Sequence, residues 1–509
     1  MAKAVPNHIS SFFLSNYQMQ ALRTLKLTNN KNTLLRDVEV SFKLSKRKTR
    51  ELATNLVAEL NNLLKQIPGA EVSVTDDSIC FSEKINDDIF VLLINRLKEQ
   101  YISSSALYWL LLYVLEKRKF QLDEVSKSLV YSESYSYKLI SKLKNFFQVL
   151  NTEIDIIRTT TGYYEILGDE TDIRLLHYFT IVMIDREGEW PFNNISQGKI
   201  IALQNLLNFK QYNMLSPSNR TKSNFMLAVY INAIDKGYTI TELGSEVLEL
   251  WESIFQEKDI VLCLRNFIEG KSSNKEIYEY ETIHFSFYAN YLIPELTSRT
   301  EKINIGMHIC RETESYICKT STRFMNLVEE KYALSKDIYH LSLYEVVNRW
   351  TTIVHLSLYK YAFAIEESHN VINIISEKLG LLITEIFFSI VPESSYKAFK
   401  YNLLQVLSWN VSMKIDIKEK IYIEFLHRPE YKSILENIIS LVYNSEVIEV
   451  VEEYKQATII VSDNRPVDND KEYFYFSNVF SPDDWFKLEE YLNRTISNIL
   501  VSKLNNTKV

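Results

Sequence analysis

The chain has 509 residues, 46% of them hydrophobic and 24% charged, with 10 Gly, 9 Pro and 4 Cys and a net charge of −8. That length implies roughly 3–5 folded domains, and this composition excludes a disordered or fibrous chain. So few Gly and Pro point to long helices with few tight turns and leave no glycine-rich phosphate cradle, since neither G-x-x-x-x-G-K-[ST] nor G-x-G-x-x-G occurs.

Met1 to Ser10 lacks the apolar stretch of a signal peptide, and no later run of 18 uncharged apolar residues suggests a membrane span. A cytoplasmic protein is expected. The charge is unevenly placed. Residues 1–65 hold seven Lys and four Arg against four acids, a net +7, which leaves −15 on the remainder. A basic end on an acidic body assigns polyanion binding to that end.

Asn16 to Leu27 carries Met19, Leu22 and Leu25 at helical spacing. Thr33 is a plausible N-cap for a second helix through Val38. Ser45 then caps a third, Lys46 to Leu64, with Leu52, Leu56, Leu60, Leu63 and Leu64 on its apolar side. Val72 to Val74 and Ser78 to Phe81 flank Asp76-Asp77 as a short hairpin, hence a wing. In this layout the last helix enters the major groove and reads from its N-terminal turns. Ser45, Lys46, Arg47, Lys48 and Arg50 are therefore the expected DNA contacts, because Arg and Lys suit guanine edges and phosphates. Such a run is otherwise a solvated helix face; its place in a basic segment favours DNA.

The layout repeats. Ser105 to Lys117 and Gln121 to Leu129 read as helices, and Ser132 caps a third, Glu133 to Leu150. Ile154 to Ile157 and Tyr163 to Ile166 form a second wing around Thr159-Thr160-Thr161-Gly162. Ser134, Tyr135, Tyr137, Lys138, Ser141 and Lys142 are the exposed candidates here, with hydroxyls and lysines for phosphates and tyrosines for sugars. The lower charge leaves a packing-only winged domain as an equal alternative.

Residues 171–395 read as mostly helical, as in Val247, Leu250, Trp251 and Ile254. Near residue 420 the period changes. Ile421 to Leu426, Val447 to Val451, Thr458 to Val461 and Tyr473 to Phe476 are strands, with helices from Glu430 to Tyr443 and from Asp483 onward, capped by Ser481. Strands alternating with helices imply a small α/β sheet. Cys80, Cys263, Cys310 and Cys318 are too scattered for a disulfide framework or a metal site. No H-E-x-x-H, G-x-S-x-G or C-x-x-C occurs, so neither an enzyme nor a bound cofactor is expected.

Tyr164-Glu165-Ile166-Leu167-Gly168-Asp169-Glu170-Thr171-Asp172-Ile173-Arg174, followed by Trp190-Pro191-Phe192, resembles the junction after the second winged domain in Mga/AtxA-type virulence regulators. The order of parts is similar across nearly the whole chain. The resemblance implies a mainly α protein: a winged helix-turn-helix at 1–85, a second at 86–170, helical phosphotransferase-system (PTS) regulation domains (PRD) at 171–288 and 289–415, and a C-terminal α/β domain similar to a sugar-transport IIB component at 416–509. It implies a homodimeric transcription regulator, often an activator, of virulence or carbohydrate-linked genes. Its partners would be double-stranded DNA and PTS phosphocarrier proteins.

In that family, histidines of the helical domains can be phosphorylated. His177, His284, His308, His340, His355 and His369 are the candidates, of which His177, His284 and His369 are retained beside His427 of the IIB-like domain. The expected acceptor region of the first helical domain holds Asn219, Arg220 and Thr221 instead. The phosphate loop of the IIB-like domain is His427-Arg428-Pro429, without Cys or Gly. His427 as acceptor with Arg428 as anion partner stands beside a non-catalytic dimerisation or sensing module. An RNA-binding antiterminator and a phosphocarrier protein are the alternatives for the whole chain.

Overall fold

A computed structural model describes residues 12–28, 31–150, 152–184, 189–206, 210–255, 275–312, 314–361, 372–412, 418–445, 447–464 and 471–506. The chain divides into two compact units, the first comprising residues 1–301 and 348–365 and the second 302–347 and 366–509.

The first unit opens with helix α1 (Asn16–Lys26), strand β1 (Asn32–Leu34), α2 (Leu35–Phe42), α3 (Lys46–Leu64) and the hairpin β2 (Val72–Val74) and β3 (Ser78–Phe81). Ser15 closes a capping box with Gln18 at the head of α1, satisfying amides the helix cannot pair itself. The expected cap at Thr33 is corrected. Thr33 lies in β1, opposite Ile79 of β3, and its buried hydroxyl meets Thr28 at 2.7 Å. Strand pairing with a partner distant in sequence outweighs the local cap signal. The three strands run β1-β3-β2, antiparallel.

Helix α4 (Asp87–Ser103) follows the wing, capped by Asn86 accepting from the Ile89 amide. Its Leu93, Leu97 and Tyr101 join Leu25, Val38, Leu52, Leu56, Leu60 and Ile79 in one buried core. The 85/86 division drawn from sequence thus falls just before a helix that completes the first winged core.

The same plan recurs in α5 (Ala106–Lys117), β4 (Lys119–Phe120), α6 (Leu122–Leu129), α7 (Glu133–Val149), β5 (Asp155–Arg158), β6 (Tyr164–Leu167) and α8 (Glu170–Val182). Its sheet is ordered β4-β6-β5, matching the first. Buried Leu52, Leu56 and Leu60 of α3 have counterparts in Leu139, Leu143 and Phe147 of α7. The repeat is one of fold and pattern. The helices α9 (Gln197–Leu206), α10 (Lys210–Met214), α11 (Pro217–Asp235), α12 (Ser245–Leu250) and α13 (Lys275–Leu292) follow. The sequence-drawn 288/289 division lies within α13. The π-helical segment Trp350–His355 and the turn Leu358–Lys360 also belong to this unit.

The second unit begins within α14 (Arg299–Arg311), takes in α15 (Tyr316–Tyr332) and most of α16 (Lys336–Arg349), and continues with α17 (Ile372–Phe387) and α18 (Glu393–Ser412). Gly306 of α14 lies where a Cβ would run into the backbone of His340, so only glycine allows α14 and α16 to cross there. Its α/β part is β7 (Glu419–Glu424), α19 (Tyr431–Val442), β8 (Ile448–Val450), β9 (Ile459–Ser462), β10 (Glu472–Tyr475) and α20 (Pro482–Asn506). The four parallel strands are ordered β10-β9-β7-β8. Ile421, Ile423, Ile459 and Val461 pack against Leu435, Ile439, Leu488 and Leu492 of the helices. No helix of the described residues is long and apolar enough to cross a membrane.

Candidate nucleic-acid interface

Each winged unit presents its third helix through the same local device. α2 ends on Lys43 at φ 52° and α6 on Val130 at φ 57°, both left-handed. A left-handed residue at a helix end turns the chain sharply, and side chains other than Gly adopt it at a cost. Ser45 and Ser132 then cap the following helices, accepting from the amides of Lys48 (3.5 Å) and Tyr135 (3.3 Å). Thr49 and Ser136, one turn further on, are fully buried, and Ser136 meets Ser126 of α6 at 3.1 Å. These contacts fix how the opposite, exposed face of each helix is offered.

On α3 that face carries Lys46, Arg47 and Lys48, all exposed and without an acidic partner among the described residues. Arg50 differs. Its guanidinium donates to Asp76 at the wing tip over 2.7 Å. Arg50 shares its local sequence with the other three; the hairpin geometry that separates it depends on how far the wing folds back.

On α7, Ser134, Tyr135, Tyr137, Lys138, Ser141 and Lys142 are exposed, as the helical spacing implies. Tyr135 stands edge-on to Tyr131, with ring centroids 5.3 Å apart. The Ser141 hydroxyl donates to the Tyr137 carbonyl (3.2 Å), which commits its proton to its own helix. Lys144 leans towards Asp155 at the foot of the second wing, at 3.6 Å. The second head therefore offers hydroxyls, aromatic rings and the exposed Lys138 and Lys142, which have no acidic partner among the described residues, rather than a guanidinium fork.

The capped helix α7, held between a sharp turn and a hairpin, is the arrangement of the helix-turn-helix class, and the first unit repeats it in fold. Residues 92–180 match the family model described as the Mga helix-turn-helix domain, spanning most of α4 and everything from α5 to near the end of α8. No curated protein matches the chain.

Behind the second head lies a buried ionic network. Arg118 and Arg174 both donate to Glu170, at 2.9 and 2.8 Å. Arg174 also grips Glu281 of α13 with both terminal nitrogens, and Glu281 accepts the Ile240 amide at 2.8 Å. Burial opposes the charge of Arg174, but Glu281 and Glu170 outweigh it and raise its pKa. Asp172 is buried beside Lys360 at 2.6 Å; burial raises its pKa while Lys360 opposes the rise. Asp172 and Arg174 carried the family resemblance; in the fold they tie α8 to distant segments of its own unit.

The histidines raised for phosphorylation fall into different settings. His177 and His284 are 1% and 0% exposed. His284 Nδ1 meets the Tyr230 hydroxyl at 2.5 Å, and burial followed by nearby Arg174 holds its pKa well below the usual value. His177 is likewise lowered by burial, then by Arg118 and Lys236. As folded, neither ring is open to a phosphodonor. His308 is exposed, His340 and His355 are partly buried, and His369 lies outside the described residues. His427 is exposed after β7, where the amides of Leu426 and His427 donate to Asp463 at 2.7 and 3.0 Å. The Arg428 guanidinium lies over the Tyr431 ring, 5.5 Å from its centroid, and donates to the Tyr431 hydroxyl at 3.2 Å. Periodicity could not separate these histidines, because burial depends on which helices cover them.

The two buried rings imply a pH response. A histidine whose folded pKa lies below the unfolded 6.5 stabilises the fold above that pH; the stability is lost as pH falls, because only the unfolded chain takes up the proton. Below pH 6.5 the stability that each buried ring contributes should therefore fall as the pH falls. Chemical denaturation at about pH 7.5 and at about pH 5.5 should show the loss, and His284→Phe should reduce it. An unchanged slope in that variant would remove His284 as a source.

Proposed function

We propose that this chain is a transcription regulator that binds double-stranded DNA through its two winged heads, with α3 as the main cationic reader and α7 adding hydroxyl, aromatic and lysine contacts. The observation that carries this is the free Lys46-Arg47-Lys48 face at the start of α3. It sits in a unit whose structural counterpart overlaps the Mga helix-turn-helix match. The finer reading comes from the resemblance: a cytoplasmic, non-catalytic homodimer, activating virulence or carbohydrate-linked genes, with residues 171–288 and 289–415 as PTS regulation domains and 416–509 as a IIB-like module. The parallel order β10-β9-β7-β8 supports a doubly wound module of that kind. Of the retained histidines that lie among the described residues, His177, His284 and His427, exposure favours His427 for phosphoryl control.

The test compares labelled duplex DNA with hairpin RNA on the full chain at several salt concentrations. Duplex binding should be tighter, and its logarithm should fall linearly with the logarithm of salt, because bound phosphates release counterions. Preference for the hairpin would overturn the reading in favour of an RNA-binding antiterminator.

A further inference from the structure

We infer that Asp76 at the tip of the first wing holds Arg50 in reserve, so that DNA phosphate must displace an internal carboxylate to recruit this guanidinium. The inference rests on the DNA-binding reading and adds to it a residue that sets affinity.

The ion pair is not needed to shape the wing. The tip is closed by its own hydrogen bonds: the Thr75 amide to the Ser78 carbonyl at 2.8 Å and the Ser78 amide to the Thr75 hydroxyl at 3.1 Å. It is also anchored to the start of α2, where the Leu35 amide donates to the Asp77 carbonyl at 2.8 Å. Arg50 and Asp76 remain largely in solvent, 60% and 85% exposed. An exposed pair of this kind contributes little to stability and exchanges partners readily.

Its position is what matters. Arg50 lies one turn beyond the exposed Lys46 and Arg47, and a duplex backbone entering between α3 and the wing would meet the pair. Asp76 and Asp77 are both exposed, so a phosphate there meets their carboxylates beside the guanidinium. The second wing has no such guard, for its tip is Thr159-Thr160-Thr161-Gly162. Acids at the tip of one wing alone lower sequence-independent attraction at the more cationic head. They leave binding to duplexes whose other contacts are good enough to draw Arg50 across.

The experiment measures binding of the full chain to a fluorescein-labelled random-sequence duplex across a salt series. Asp76→Asn should bind about two- to five-fold more tightly than wild type, the range expected for freeing one partner of an exposed ion pair. Its salt dependence should steepen by up to about one unit of slope. In an Arg50→Ala background the same change should have less effect, because Asp76 would no longer have a cation to withhold. Unchanged or weaker binding by D76N, with an unaltered circular dichroism melt, would overturn the inference while leaving the DNA reading intact. An equal gain with and without Arg50 would also overturn it, assigning Asp76 to plain repulsion. Failure of the wild type to bind any duplex would remove both.

Discussion

Replacing Glu281 by alanine should destabilise the first unit by about 3–5 kcal/mol, the cost of leaving a buried charge without its partner. Arg174 and Glu281 are 1% and 0% exposed, so water cannot replace the lost carboxylate. Glu281 also accepts the Ile240 amide, which would become a second orphan. Glu170 still touches Arg174 after the change and keeps the loss from growing further. The control is the pair of changes Arg174→Met and Glu281→Leu made together. Removing both charges avoids the stranded ion, so the double variant should be more stable than either single one. Thermal and denaturant unfolding measure this directly. A single variant as stable as wild type would mean that the network is solvated, contrary to its burial.

The second large effect concerns DNA. Changing Arg47 and Lys48 together to alanine should weaken duplex binding and lower the salt slope by about two units, one for each lost phosphate contact. Both side chains are exposed and the helix cap at Ser45 uses only the Lys48 amide, so α3 should keep its fold. If Arg47 reads a guanine edge, its loss should also relax preference at one base position, by about 1–3 kcal/mol. Unchanged affinity and slope would move the contact to Lys138 and Lys142 of α7.

Much of this interface was legible from local signals. Ser45 and Ser132 mark helix starts, and the helices run as their apolar spacing requires. Alternation at Val72–Val74 and Ser78–Phe81 marks the first wing to the residue. What stayed hidden depends on partners far along the chain. β1 exists because Thr33 finds Ile79, and Arg50 is withdrawn because Asp76 reaches back to it. Helix α4 did have a signal, Asn86 before Asp87 and Asp88, an N-cap followed by acids that suit a helix start. The depth of His177 and His284 had none, since a histidine on an apolar helix face looks the same whether its neighbours cover it or not.

The first unit is completed by a late segment of chain. Lys360 reaches Asp172, and the Tyr361 hydroxyl donates to the Asp172 carbonyl at 2.9 Å, although the stretch 302–347 in between belongs to the other unit. During synthesis, α1 to α8 leave the ribosome well before Lys360 exists. Through that interval Asp172 waits without its cation. The helices and strands of both winged heads lie within the stretch that emerges first, α1 to α8, so the heads can form before that segment arrives. A nascent chain would thus carry two assembled winged heads before the body that holds α8 in place is closed.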